Sequence, residues 1–323
     1  MDNFPYGVAS QGIPLMGGGM PTTSGKYIFV DASNGSDGND GLSQDQAFKT
    51  VAKAYSIARS NKDDVIVLST YADHNLTAMV NITKNRVHFC SYDVYGRLYG
   101  QRAKVILPVL TTALAANVFA VKNTGIGNTF TGIKFISNNT EAATVAVLGE
   151  GGEYASYRNC EFYSPVRLNS DTQAEMVLNG DSTQFFNCTF GSLADAVVGD
   201  KVRPAILLTA GTVDAGKVCR DVYFDNCRFW KQAGGTTTAM VKATTAVDVE
   251  RVMEFHDCHF IANPLGSTPA VAIACAASLT VGIIYLTGDT AAVKCTALAT
   301  ATGIFAALNV KAAATHIALQ STN

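Results

Sequence analysis

Five segments between residues 130 and 260 repeat one pattern, and that repetition constrains the fold more than any other property of the chain. Phe130-Thr131-Gly132-Ile133-Lys134-Phe135 aligns with Tyr157-Arg158-Asn159-Cys160-Glu161-Phe162 and Phe185-Phe186-Asn187-Cys188-Thr189-Phe190. Phe224-Asp225-Asn226-Cys227-Arg228-Phe229 and Phe255-His256-Asp257-Cys258-His259-Phe260 complete the set. The pattern is aromatic-x-[Asn/Asp/Gly]-[Cys/Ile]-x-Phe, with successive copies 27, 28, 39 and 31 residues apart. Periods of about 20–50 residues mark architectures in which one supersecondary unit stacks on the next.

The spacing inside the motif carries a geometric demand. Cys/Ile and the final Phe are two apart and share one face of a strand, whereas the leading aromatic, three before the Cys, points the other way unless the chain bends. The residue before the Cys or Ile is Gly132, Asn159, Asn187, Asn226 or Asp257, the types that enter the left-handed region most readily. A bend there turns all three side chains inward. The prediction is an all-β parallel solenoid with columns Phe130/Tyr157/Phe185/Phe224/Phe255, Ile133/Cys160/Cys188/Cys227/Cys258 and Phe135/Phe162/Phe190/Phe229/Phe260. The long interval before Cys227 reads as a loop projecting from one coil.

Around this core the chain divides into three. Residues 1–25 form an arm whose scattered apolar side chains Phe4, Tyr6, Ile13, Leu15, Met16 and Met20 surround a Gly17-Gly18-Gly19 run. The arm is read either as a free tail or as a strap that orders against a neighbour. Residues 26–265 contain the solenoid, with one amphipathic capping helix expected over 44–60 behind a Ser43/Gln46 capping box. Residues 266–323, rich in Ala, Thr and Val and nearly uncharged, read as a small C-terminal β region used for oligomerisation, with a homotrimer expected.

Composition removes several function classes. Lys+Arg 24 against Asp+Glu 26, a net charge of −2, leaves no basic excess for a polyphosphate backbone, so no nucleic-acid partner is expected. The apolar segment Val271 to Leu286 is shorter than the ~20 residues of a membrane span, and no membrane partner is expected. Met1 to Pro5 lacks the character of a secretory signal. The eight cysteines contain no CxxC pair, so reduced, buried thiols are expected, not disulfides or zinc.

With these residues in place the chain resembles the right-handed parallel β-helix proteins of the pectate-lyase-like superfamily. The resemblance lies in Val30-Asp31, the run Gly35 to Gly41, Ala47 to Val51, the following helix, Asp64 to Leu68, and the Asn-Cys-x-Phe coils, spanning roughly residues 26–265. Members include polysaccharide lyases and hydrolases, phage tailspikes and virion decoration proteins. The arm, the start and the low-charge tail look most like a phage capsid decoration (cement) protein. That resemblance implies a non-enzymatic virion protein on the capsid surface, made in the host cytoplasm, with the major capsid protein and its own copies as partners, and with Phe4, Tyr6, Ile13, Leu15, Met16 and Met20 of the arm as the capsid-binding residues. The alternative is a tailspike or receptor-binding protein with polysaccharide binding or depolymerase activity; a surface glycan is then the partner.

No cofactor or metal site and no catalytic residue is assigned. The outward series Lys134, Glu161, Thr189, Arg228, His259 and Thr131, Arg158, Phe186, Asp225, His256 are mixed in type, not a carboxylate array. Asp225 with Asp257, on neighbouring coils, is the best acid pair, although Asp257 also fills the bend slot. His256 and His259 flank a Cys258 that faces inward, which argues against a shared ion. Asp31, Asp37, Asn39 and Asp40 read as a hydrogen-bonded turn in preference to a calcium loop, and Trp230 as packing in preference to a sugar platform.

Overall fold

The computed structural model describes residues 23–92, 102–108, 118–139, 144–165, 172–191, 203–231, 239–262, 271–275, 279–295 and 297–299. It also gives the backbone of 9–10, 13–14 and 304–306. Each full coil contributes three strands, as in Ser156–Arg158, Glu161–Tyr163 and Ala174–Leu178, and each strand pairs in parallel with its equivalent in the next coil. Three parallel sheets result: sheet 1 with ten strands, sheets 2 and 3 with eight each. The chain is a right-handed parallel β-helix.

The bend between sheets 1 and 2 explains the motif. Gly132, Asn159, Asn187, Asn226 and Asp257 all have positive φ, between 50° and 69°. Their N–H groups still reach the next coil: Asn159 N donates to Phe186 O at 2.9 Å and Asn226 N to His256 O at 2.9 Å. The corner is thus turned without an orphaned backbone donor. The aromatic columns are in strand register, with Tyr157 opposite Phe185 and Phe185 opposite Phe224. Their rings stack at 5.0 and 4.7 Å between centroids. The second column stacks likewise, Phe190 on Phe229 at 5.0 Å, and meets the first edge-on. Cys160, Cys188, Cys227 and Cys258 are free and buried. Each thiol donates to a carbonyl of the preceding coil, as Cys188 Sγ does to Tyr157 O at 3.5 Å. Burial pushes the thiols of Cys160 and Cys227 well above their ordinary range.

Several expectations change. The helix is Val51–Ile57, not 44–60. Phe48 N donates to Phe29 O and Phe48 O accepts from Asp31 N, which holds residues 47–48 against the strand Tyr27–Val30. Thr50, not Ser43, caps the helix, its side chain accepting from Lys53 N. At the other end Lys84 Nζ donates to the carbonyls of Tyr55, Ser56 and Ala58. The coils also run past residue 265: Gly282–Thr287, Ala291–Val293 and Ala297–Ala299 extend the same three sheets. There Leu286 and Ala292 succeed Phe255 and Phe260, so the compositional shift marks smaller core side chains in one solenoid.

The interval before Cys227 does not simply project. Part of it lengthens the sheet 1 strand to Cys219–Asp225, with a register shift at Asp221. Val213 is buried in a small cluster with Ala146, Ala174, Val177 and Leu207. Of the arm, Phe4, Tyr6, Leu15, Met16 and Met20 lie outside the described residues. Ile13 lies in a two-residue strand, Ile13–Pro14, paired antiparallel with Ala9–Ser10. No helix among the described residues is long and apolar enough to cross a membrane.

A polar corner lies between sheets 3 and 1. Glu150, fully buried, accepts from Tyr157 Oη, Asn123 Nδ2 and Gly152 N. Burial raises its carboxyl to about 7 against those three donors.

Candidate functional site

Strand register turns the outward positions of sheet 1 into two continuous rows. One runs Arg158, Phe186, Asp225, His256, Thr287. The other, two residues earlier on each strand, runs Gln184, Tyr223, Glu254, Tyr285. Beside them the bend supplies Asn187, Asn226 and Asp257, and sheet 2 supplies Thr189, Arg228 and His259.

At one end of this face is an aromatic platform. The Arg158 guanidinium lies 4.2 Å from the Phe186 ring centroid, and Phe186 meets Tyr223 edge-on at 6.0 Å. Burial first, and then the carboxylates Asp225 and Glu254, raise the Tyr223 phenol, which stays a donor at neutral pH.

Spanning the Tyr223 coil and the next is an acid–imidazole group. Ligand-type atoms of Asp225, His256 and Asp257 lie within 4.8 Å of one another, a donor set that can hold a divalent cation or exchange protons. His256 Nε2 is 3.4 Å from Asp257 Oδ2, and His256 Nδ1 is 2.9 Å from Thr287 Oγ1. Thr287 Oγ1 donates to Glu254 Oε1 at 2.7 Å. Asp257 is held from the next coil by Asp289 N, donating to Oδ1 at 2.7 Å. Gly288 is needed there: its φ is +63°, and a Cβ would sit 2.0 Å from Asp257 Oδ1.

The structure therefore joins the Asp225–Asp257 pair suggested by sequence and adds His256 to it. His259 belongs to the outer row of sheet 2 and Cys258 points into the core, so neither joins the group. Glu254 and Thr287 have no motif signature. They become visible only once the coil register sets Thr287 opposite His256. Trp230 is half-buried on sheet 2 with its indole N–H buried and without a partner among the described residues. The acidic turn is internally satisfied: Asp31 accepts from Ser33 N and Asn34 N, Asp37 from Lys49 N and Thr50, and Asp40 from Leu42 N. Burial would raise the Asp31 carboxyl, but its donors outweigh burial and hold it low.

Solved structures that share the fold include two lyases and a pectin methylesterase. The chain is similar to a pectate lyase, Pel9A, with TM-score 0.58 and 13% identity over 83% of this chain and 63% of that one. It is similar to a rhamnogalacturonan lyase, with TM-score 0.53 and 14% identity over 83% and 68%. Pectin methylesterase PemA from Erwinia chrysanthemi gives 0.51 and 12% over 88% and 81%. The chain thus spans less than two thirds of the pectate lyase's length. No family model and no curated protein matches the chain.

These likenesses correct the expectation of a chain without enzymatic activity, since the neighbours are lyases and esterases. That expectation weighed the Asp225–Asp257 pair but set it aside because Asp257 also fills the bend slot. Groups from different positions and adjacent coils converge here, as Asp225 and Asp257 do. Nothing in the likenesses bears on a phage, a capsid or a trimer.

Proposed function

We propose that the chain binds an extended polysaccharide along the outer rows of sheets 1 and 2 and cleaves it at the Asp225–His256–Asp257 group. The observation that carries this reading is the in-register run from the Arg158–Phe186–Tyr223 platform into that group. A linear ligand lying along the coil axis meets each row in turn. Phe186 and Tyr223 offer apolar ring surface to the C–H faces of sugars. Arg158 on one side and exposed Arg228 across the bend favour sugars bearing carboxylates. Glycosidic cleavage needs a proton donor and an acceptor on one bond, and paired carboxylates with an imidazole supply both.

The shared fold lends support at the level of fold only. A virion setting, as capsid decoration protein or as tailspike, rests on the resemblance of the arm, the start and the low-charge tail, and no described residue favours it. The test is a reducing-end assay and a binding assay on a panel of acidic and neutral polysaccharides. Asp225→Asn and Asp257→Asn should each lower turnover about 100-fold or more with binding kept, and Phe186→Ala should weaken binding. A panel on which nothing is bound or cut refutes the reading.

A further inference from the structure

We infer that Glu254 and Thr287 are positioning residues: they hold neutral His256 as the Nδ1–H tautomer and leave Nε2, on the Asp257 side of the ring, as the proton-accepting atom of the site. Its catalytic meaning rests on the function proposed above; the tautomer itself does not.

The inference follows from counting hydrogens. Thr287 has one hydroxyl hydrogen, and Oγ1 gives it to Glu254 Oε1 at 2.7 Å. A carboxylate only accepts. Toward His256 the same oxygen, 2.9 Å from Nδ1, can then only accept, so Nδ1 carries the proton. In a neutral imidazole the other nitrogen is the bare one. That nitrogen is Nε2, 3.4 Å from Asp257 Oδ2.

Parallel register builds the relay. Glu254 and His256 are two apart on one strand and share its outer face, while Phe255 between them points into the core. Thr287 lies directly opposite His256 in the next coil, so its hydroxyl bridges the two side chains. A proton that Nε2 takes from the bound polysaccharide or from the water that attacks it makes the ring cationic. The charge then faces Asp257 directly and Glu254 through Thr287, while the Nδ1 proton stays in place. No group has to rotate during the transfer, which is the benefit of preorganisation.

The test reads the ring directly in the full-length, 15N-labelled chain at alkaline pH, where imidazole is neutral. The His256 signals are assigned by their loss in His256→Gln. Wild type should show a protonated Nδ1 and a bare Nε2. Thr287→Val removes the acceptor, and Glu254→Ala frees the Thr287 hydrogen to point at Nδ1; each should move the ring toward the Nε2–H form. Thr287→Ser should restore the wild-type tautomer. These side chains lie on the outer face, and circular dichroism checks that each variant is folded. On a cleaved polysaccharide, Thr287→Val should lower kcat on the order of tenfold with little change in KM, and Thr287→Ser should recover it. An Nε2–H ring in wild type, or one indifferent to both substitutions, overturns the relay. The expected tautomers without any polysaccharide cleavage uphold the relay and refute the proposed function instead. A kcat unchanged by Thr287→Val while the tautomer moves removes the positioning role.

Discussion

Two rows borne on the same strands, one residue apart, obey different rules. Inward, Tyr157, Phe185, Phe224 and Phe255 repeat one kind of side chain, all fully buried. Outward, Arg158, Phe186, Asp225 and His256 change at every coil. The backbone register is common to both, so the difference lies in what each side chain must satisfy. An inner ring has to match the rings above and below it. An outer side chain has only to suit its own coil's surroundings. Repetition therefore records the fold, and its breakdown on the outer face marks where the coils have separate tasks.

The sharpest way to break this comparison is to substitute adjacent residues of the two rows. Phe224 stacks on Phe185 at 4.7 Å and on Phe255 at 4.6 Å, and lies edge-on to Phe190 and Phe229. Phe224→Ala should cost about 3–5 kcal/mol of unfolding free energy, through lost burial and an unfilled gap in the column. Asp225→Ala, one residue further on but facing outward, should stay within about 0.5 kcal/mol. Denaturant unfolding of both variants checks this. Equal losses would mean that the outer row is also part of the scaffold.

The contrast also explains what the sequence made legible. Every inner column residue from Phe130 to Phe260 could be named in advance because five copies of one steric demand leave five copies of one pattern. The bend residues were legible because few side chains tolerate positive φ, and Asn, Asp and Gly are those that do. The helix boundaries were not, because periodicity at Phe48 and Val51 cannot tell a helix from a segment pinned to a strand by Phe29 and Asp31. In the site, Asp225 and Asp257 stood out as acids in known phase. Glu254 and Thr287 lie 33 residues apart in two different outer rows, and only the pairing of their coils brings them together. The continuation past residue 265 was hidden because Leu286 and Ala292 keep the inward phase but not the aromatic identity.

Glu150 provides a second, smaller test, since here a charged residue faces the ordered interior. Its folded-state carboxyl is raised to about 7 from 4.5, with burial outweighing the donors Tyr157, Asn123 and Gly152. The folded chain thus binds the proton more tightly than the unfolded one. The stabilisation this gives is complete below about pH 4.5 and is lost as pH rises through about 7. The span corresponds to about 3 kcal/mol. Glu150→Gln cannot titrate, so the stability difference between wild type and variant should shift by that amount in favour of the variant between pH 4.5 and 8. A difference that stays flat over this range would place Glu150 in contact with water and open the corner between sheets 3 and 1.

The smallest expected effect lies at the bend, where the two rows meet. Asn226 has φ of 50°, and its Nδ2 donates to Asn187 Oδ1 at 2.6 Å along the outer corner. Asn226→Gly keeps the conformation and loses only that exposed contact, so its cost should be a few tenths of a kcal/mol. Asn226→Val keeps a side chain but places a β-branched Cβ where the left-handed backbone crowds it, at a cost of about 1–2 kcal/mol. Thermal unfolding of the pair separates the explanations. If Gly is the worse of the two, the asparagine row stabilises the corner through its amide contacts. If Val is the worse, the motif keeps asparagine for its backbone, and the corner belongs with the inner columns as part of the repeated scaffold, although its side chains point outward.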